Sequence, residues 1–231
     1  MIRVGFYTFP VLLIFWYIYY KKIKPHNDSF LFQRYTYNYF YGFYNGTWYN
    51  ERSVEIPIVM KAIRMHHGKK ILEVGNVLSQ YFEVEHDILD KYETKNRIIK
   101  EDIADFTSSE KYDLIVSIST LEHVGYDEYP KDDMKIYKAI ENLKTLLNPD
   151  GMIIVTLPLG QNPVLDKLLK DATVKFSGQY YLKRISKANE WEQASWEDVK
   201  DAKYGEPFFA ANALVIGIIY GRLVQTNQKF L

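Results

Sequence analysis

The chain has 231 residues, of which 47% are hydrophobic and 25% are charged, the composition of a folded globular domain and not of a disordered chain. Because 29 Lys and Arg residues balance 29 Asp and Glu residues, no net positive field draws the chain to nucleic acid, and no nucleic-acid partner is expected. The absence of cysteine excludes disulfides, thiolate nucleophiles and cysteine-ligated zinc, and it fits a cytoplasmic location.

The first segment departs from this average composition. Residues 4–20 carry no charged side chain and are followed by Lys21, Lys22 and Lys24. About 17 apolar residues is the lower limit for a helix that spans a bilayer, and basic residues after the span hold the domain behind it on the cytoplasmic side. A cleaved signal peptide would carry its basic residues before the apolar run, so that interpretation is excluded. Residues 1–24 are therefore predicted either to attach the chain to the cytoplasmic face of a membrane or to pack on the domain as an aromatic-rich helix.

The next segment, residues 25–50, is rich in tyrosine and shows neither the helical nor the strand period. It is predicted to be an irregular linker or cap that packs against the domain or a substrate. Beyond it, Ile56, Val59 and Ile63 recur at spacings of three and four, which predicts an amphipathic helix from Ser53 onward.

Short strand-like runs then alternate with helical patterns as far as the C-terminus. Buried strands are predicted at residues 69–75, 86–90, 97–100, 112–118 and 152–156, helices at residues 136–147 and 164–170, and a last pair of strands at residues 180–185 and 213–220. Residues 51–231 are therefore expected to form one α/β domain. Its predicted architecture is Rossmann-like and doubly wound, with a mostly parallel seven-stranded sheet and an antiparallel edge strand.

Acidic residues stand at or after the ends of the first three predicted strands of this sheet. They are Glu73, two positions before Gly75, then Asp90, then Glu101 with Asp102. In an open α/β sheet, ligands bind beyond the carboxyl ends of the strands. Each carboxylate could instead cap a loop or pair with a lysine, but unpaired charges at buried strand ends are costly, so several of them together favour a binding role.

These motifs resemble those of the class I S-adenosylmethionine (SAM) methyltransferases over about residues 51–220. In that family an acidic residue and a glycine-rich turn end the first strand, as in ILEVGNVLS at residues 71–79. Residues 111–124 and 147–158 resemble the family's fourth and fifth strands. The resemblance implies SAM as the cofactor, with a binding set of Glu73, Gly75, Asn76, Asp90, Glu101, Asp102, Ser119 and Leu121.

The resemblance also implies individual roles. Asp90 would accept hydrogen bonds from the ribose hydroxyls, and Asp102 or its neighbour Glu101 would meet the adenine amino group. His123 and Glu122, in the loop after the fourth strand, would face the acceptor as the catalytic pair, because a histidine there can take a proton from a hydroxyl. A packing histidine with a backbone partner is the alternative for His123.

Three features depart from the family's pattern. Some relatives bind magnesium through a Glu-x-x-Glu-His sequence in this loop, but Ser119 replaces the first glutamate, so no metal site is expected. Val77 and Ser79 replace the second and third glycines of the first turn, and a β-carbon at Val77 hinders close approach of the backbone to a ligand. Only fifteen positions separate Gly75 from Asp90, against roughly 20 in a dinucleotide-type unit, which predicts a truncated first crossover helix or a loop.

The predicted activity is methyl transfer from SAM to an oxygen or nitrogen of a small-molecule or glycan-like acceptor, at a membrane if residues 4–20 attach the chain there. One alternative is a noncatalytic binding or scaffold protein that keeps the fold and has lost SAM, as Val77 would allow. A nicotinamide-dependent oxidoreductase is disfavoured, because the first turn lacks the G-x-G-x-x-G spacing that cradles a pyrophosphate.

Overall fold

The computed structural model describes residues 18–19 and 29–221. The predicted N-terminal attachment segment, residues 4–20, lies outside the described residues except for residues 18–19. Among the residues that are described, no helix combines the length and the apolar character needed to cross a bilayer.

The structure contains strands and helices in alternation. In residues 29–221 the strands are β1 (Ser29–Phe32), β2 (Tyr35–Asn38), β3 (Ile71–Val74), β4 (Asp87–Leu89), β5 (Ile98–Ile99), β6 (Tyr112–Ile118), β7 (Leu147–Pro158), β8 (Gly178–Arg184), β9 (Trp191–Ala194) and β10 (Ala213–Tyr220). The α-helices of the same residues are α1 (Arg52–Met65), α2 (Lys135–Thr145), α3 (Pro163–Lys170) and α4 (Trp196–Val199). Short 3-10 turns cover Tyr44–Tyr49, Leu78–Gln80 and Leu121–His123.

Eight of these strands form one sheet in the order β5-β4-β3-β6-β7-β10-β8-β9. Neighbouring strands from β5 to β7 are parallel, whereas β10 runs antiparallel between β7 and β8, and β9 is an antiparallel edge strand. The chain moves outward from β3 to β5 and then returns to β6 beside β3, so the strand order reverses between β3 and β6. This topology confirms the Rossmann-like α/β prediction and gives the sheet one more strand than the sequence predicted.

The sheet separates two apolar cores. One core joins the sheet to α2 and α3, and the other joins it to α1 and to the β1–β2 hairpin. Strand β6 serves both, because Ile115 belongs to the first core whereas Leu114 and Val116 belong to the second. Side chains alternate between the faces of a strand, so a strand covered on both faces has a continuous apolar sequence. That is why this strand was predicted with its observed bounds.

The predicted shortening of the first crossover is confirmed. Between β3 and β4 the regular structure is the 3-10 turn Leu78–Gln80, and within the described residues 87–99 no helix stands between β4 and β5. Residues 75–86 and 90–97, which connect β3 to β4 and β4 to β5, therefore contain no α-helix.

The tyrosine-rich segment contains more order than the predicted irregular linker. Strands β1 and β2 form an antiparallel hairpin around Gln33 and Arg34, both at positive φ. Phe30, Phe32 and Tyr37 of this hairpin are buried in the core beside α1. The turn lacks the Asn-Gly or Asp-Gly pair that signals a tight hairpin, so no local pattern in the sequence indicates it.

Candidate active site

A cavity of about 200 Å3 lies at the point where the strand order reverses. It is formed by the carboxyl ends of β3, β4 and β6 together with the segment after β5. Five predicted site residues from these four places line it, namely Gly75, Asp90, Glu101, Asp102 and His123. Leu89, Ile103 and Val124 supply apolar walls. Residues that are far apart in the sequence thus share one concave site.

Gly75 allows the turn after β3 to approach the loop after β6. It has a φ of +87°, and a β-carbon there would lie 2.2 Å from Thr120 Oγ1. Both the backbone conformation and the contact therefore require glycine at this position. Its amide donates to Leu89 O at 2.9 Å, which ties the turn to the end of β4.

Glu73 is fully buried and does not line the cavity. Its Oε1 accepts hydrogen bonds from the backbone amides of Val77 (2.9 Å) and Leu78 (2.8 Å), and its Oε2 lies 2.8 Å from His86 Nε2. The carboxylate therefore shapes the turn from beneath. Because the amide of Val77 donates to Glu73, this amide is not free to bind a ligand. Val77 stands where the turn of the methyltransferase family has a glycine.

Asp90 lies on the cavity wall and is held by three backbone amides. Its Oδ2 accepts from Asn76 N at 3.0 Å, and its Oδ1 accepts from the amides of Tyr92 (2.9 Å) and Glu93 (3.1 Å). A carboxylate has about four lone-pair sites, so Asp90 keeps acceptor capacity for a ligand. Asn76 does not line the cavity, and its side chain donates to Glu93 Oε2 at 2.6 Å.

Asp102 forms ion pairs with two lysines at the cavity. Its Oδ2 lies 2.8 Å from Lys91 Nζ and 2.6 Å from Lys135 Nζ, and its Oδ1 accepts from Ala104 N at 3.0 Å. Burial alone would raise the pKa of Asp102, but the hydrogen bonds from Lys135 and Lys91 outweigh burial and lower that pKa to about 2. Both lysines also pair with Glu128, so two carboxylates and two ammonium groups neutralise each other. Sequence reasoning missed this arrangement, because Lys135 and Glu128 carry no motif.

His123 forms a carboxylate–histidine pair that the sequence analysis did not identify. Its Nδ1 lies 2.5 Å from Asp127 Oδ2, and its Nε2 lies 3.5 Å from Gln161 Nε2. With Nδ1 donating to the carboxylate, Nε2 carries the lone pair that a general base needs. Both of these ring contacts are with side chains, unlike those of a packing histidine with a backbone partner. The four-residue spacing between His123 and Asp127 was the available signal.

Three other predicted residues point away from the cavity. Leu121 is fully buried in the core beside α2 and α3. Ser119 donates to Glu55 Oε1 at 2.5 Å, on the α1 side of the sheet. Glu122 is 1% exposed and does not line the cavity. The loop after β6 therefore presents Thr120, His123 and Val124 to the cavity, and the cofactor roles predicted for Ser119 and Leu121 stay predictions.

Glu122 belongs to a group of buried ionisable residues that we call the buried charge cluster: Glu51, Arg52, Glu55 and Glu122. Glu55 pairs with Arg52, and its Oε1 accepts from Thr156 Oγ1 at 2.6 Å. Burial raises the pKa of Glu122 well above its usual range, and burial together with Glu55 raises the pKa of Glu51. The sequence analysis gave Glu51, Arg52 and Glu55 no role, because nothing local shows that the first turn of α1 faces the sheet.

Comparison with known proteins finds similarity to solved structures. No protein-family model and no curated protein matches the sequence. Among solved structures, the chain is similar to the N-methyltransferase NodS from Bradyrhizobium japonicum WM9, with 14% identity, a TM-score of 0.43, and coverage of 74% of this chain and 96% of that one. It is also similar to the sugar N-methyltransferase KedS8 from Streptoalloteichus sp ATCC 53650, with 12% identity, a TM-score of 0.37, and coverage of 73% and 87%.

A third match is an S-adenosylmethionine-dependent methyltransferase from Clostridium acetobutylicum ATCC 824, with 13% identity, a TM-score of 0.36, and coverage of 71% of this chain and 89% of that one. All three structures are methyltransferases. At such low identities and TM-scores they assign no substrate to this chain.

Proposed function

We propose that the chain is a SAM-dependent methyltransferase that acts on an oxygen or nitrogen of a small-molecule or glycan-like acceptor. The proposal rests on the observation that predicted site residues from separate parts of the chain line the same cavity. Gly75, Asp90, Asp102 and His123 come from four separate parts of the chain and line one cavity where the strand order reverses. Open α/β sheets bind their ligands at this place.

The lining residues fit the adenosine part of SAM. Leu89 and Ile103 offer apolar surface for a purine, and the one remaining lone-pair site of Asp90 suits a hydroxyl of a ribose. Because Gly75 has no side chain, the end of the cavity between Gly75 and Thr120 is free of a β-carbon. The volume of about 200 Å3 is below the ~300 Å3 at which ligand pockets begin, so Lys91 and Tyr92, on the exposed loop after β4, would move to admit a nucleoside.

Bound SAM would supply a methyl group that its sulfonium already activates. The protein's contribution is then to hold donor and acceptor in line and to exclude water. His123 can take a proton from a hydroxyl acceptor through Nε2, and Asp127 would fix the ring in the required tautomer. Attachment to a membrane through residues 4–20 would place this chemistry beside lipid-linked acceptors, and it stays a proposal.

The second candidate is a noncatalytic protein that keeps the fold without SAM. One observation favours it. Both oxygens of Asp102 are already engaged, one by Lys91 and Lys135 and the other by the amide of Ala104. An adenine amino group would therefore compete with ion pairs that the protein already makes.

Calorimetric titration of the full chain with SAM, S-adenosylhomocysteine and NAD separates these candidates. We expect SAM and S-adenosylhomocysteine to bind and NAD not to bind. Loss of one buried acceptor costs about 1–3 kcal/mol, so Asp90→Ala should weaken SAM binding roughly 5- to 150-fold.

Asp113→Ala is the matched control, because Asp113 also accepts a backbone amide, from Lys70 at 3.0 Å, but lies at the amino end of β6. Its affinity for SAM should equal that of the wild type. Wild-type protein that binds no SAM favours the noncatalytic candidate, and binding of NAD alone favours an oxidoreductase.

A further inference from the structure

The buried charge cluster is not used by the proposed cofactor site. It contains three carboxyl groups, from Glu51, Glu55 and Glu122, and one guanidinium group, from Arg52. Arg52 pairs with Glu55, and Glu51 Oε2 accepts from Ala211 N at 3.1 Å. The cluster therefore holds more acidic groups than it can neutralise by itself.

Glu122 is the member that lacks a hydrogen-bond partner. It is 1% exposed, and within the described part of the chain neither carboxyl oxygen accepts a hydrogen bond. Burying such a group costs several kcal/mol unless it is paired and hydrogen-bonded, so a buried carboxyl group without a hydrogen bond needs an explanation. The backbone of Glu122 is fixed, because Asn162 Nδ2 donates to its carbonyl oxygen at 2.7 Å. The surrounding structure therefore fixes the backbone of Glu122, although its carboxyl group has no hydrogen bond.

Glu122 is also one side chain away from the cavity. His123 Nε2 lies 3.6 Å from Glu122 Oε1, and His123 lines the cavity. Tyr204, which is 40% exposed, lies near the cluster. Its pKa is raised to about 12 by burial and then by the charge of Glu51, with Glu122 also contributing. A ligand that displaces the His123 or Tyr204 side chain would reach the carboxyl group.

We propose that Glu122 recognises a protonated amine on the acceptor, so that the acceptor class is amines, such as amino sugars, and not neutral hydroxyl compounds. An ammonium group supplies three hydrogen-bond donors and one positive charge, which are what the cluster lacks. The amine site itself does not depend on the proposed function, but the assignment of this amine as the methyl acceptor does. For methyl transfer the ammonium group would first give a proton to His123 Nε2, which lies 3.6 Å from Glu122 Oε1. The freed nitrogen lone pair would then form the new N–C bond as the methyl–sulfur bond breaks and S-adenosylhomocysteine leaves.

The test compares binding of amines and of their hydroxyl counterparts, namely glucosamine with glucose and cyclohexylamine with cyclohexanol. Each compound is titrated into full-length wild type, Glu122→Gln and Glu197→Gln, with and without S-adenosylhomocysteine, and SAM is titrated into the same three proteins. Glu197 is an exposed control residue that pairs with Lys200 on α4. The preference of the wild type for amines over hydroxyl compounds can be measured without any variant. The proposal therefore stays testable even if Glu122→Gln fails to fold.

We expect wild type and Glu197→Gln to bind at least one amine more tightly than its hydroxyl counterpart, and Glu122→Gln to lose about tenfold or more of that affinity while binding SAM as wild type does. Equal binding of amines and hydroxyl compounds would overturn the proposal, as would an amine affinity that is unchanged in Glu122→Gln. Loss of SAM affinity in Glu122→Gln would assign the carboxylate to the amino group of SAM instead. Amine binding without SAM binding would keep the amine site and refute the methyltransferase proposal.

Discussion

Replacing Gly75 by alanine tests whether the turn after β3 is built as described. The φ of +87° disfavours any residue with a β-carbon by about 1–2 kcal/mol. The new β-carbon would also lie 2.2 Å from Thr120 Oγ1, so Thr120 must move and give up its 3.0 Å hydrogen bond to Ile118 O, at a further cost of about 0.5–1.5 kcal/mol. We expect Gly75→Ala to lower the free energy of unfolding by about 1.5–3.5 kcal/mol, measured by urea denaturation.

Gly68→Ala is the matched control. Gly68 has a φ of +75°, but no atom lies within 4 Å of the position that a β-carbon would take, so only the backbone cost of about 1–2 kcal/mol applies. Thr120→Ala removes the two nearest contacts and should partly relieve Gly75→Ala in a double-mutant cycle. Equal destabilisation by the two glycine substitutions, or strict additivity with Thr120→Ala, would refute the proposed contact.

Three further substitutions have defined outcomes. Because the pKa of Asp102 is lowered to about 2 in the folded protein, its carboxylate stabilises the fold above pH ~4 and loses that effect as the pH falls towards 2. Asp102→Asn should therefore lose less stability than wild type between pH 4 and 2 in urea titrations, and an equal loss would contradict the ion pairs. Burial raises the pKa of Glu122, so this group favours the fold below pH ~4.3 and that stability is lost as the pH rises. The stability of Glu122→Gln relative to wild type should therefore increase from pH 5 to pH 8, and parallel curves would be inconsistent with a buried carboxyl group. Asn189→Ala removes bonds to Asn50 O (2.8 Å), Ser53 Oγ (2.9 Å) and Trp191 Nε1 (2.8 Å), and should cost about 2–4 kcal/mol in the same assay. A cost below about 1 kcal/mol would show that Asn189 does not tie the Tyr44–Tyr49 turn and α1 to the sheet edge.

The central strands could be predicted from the sequence because they are buried on both faces. Strand β10 is a continuous apolar run, strand β6 is apolar except for Asp113 and Ser117, and both have the predicted bounds. Strand β9 was missed, since WEQA is short and polar. Strand β7 begins at Leu147, earlier than predicted, because the turn signals of residues 148–151 lie in a bulge where the pairing with β6 shifts register.

The sequence predicts where in the sheet the candidate site lies, but not the direction in which its side chains point. The rule that ligands bind at strand ends groups Gly75, Asp90 and Asp102 in one predicted site, and in the structure all three line one cavity. No local pattern shows that Glu73 turns towards the amides of Val77 and Leu78. The contacts that set these directions join distant parts of the chain, as with the hydrogen bond from Thr156 to Glu55, so only the folded chain defines them.

A crystal structure of the full chain grown with S-adenosylhomocysteine tests the central claim most directly. We predict density for an adenosine between β3, β4 and the segment after β5, with a ribose hydroxyl within hydrogen-bond distance of Asp90 and with Lys91 or Tyr92 displaced. A nucleoside bound elsewhere, or a cavity that stays closed by Lys91 and Asp102 at saturating ligand, would contradict it.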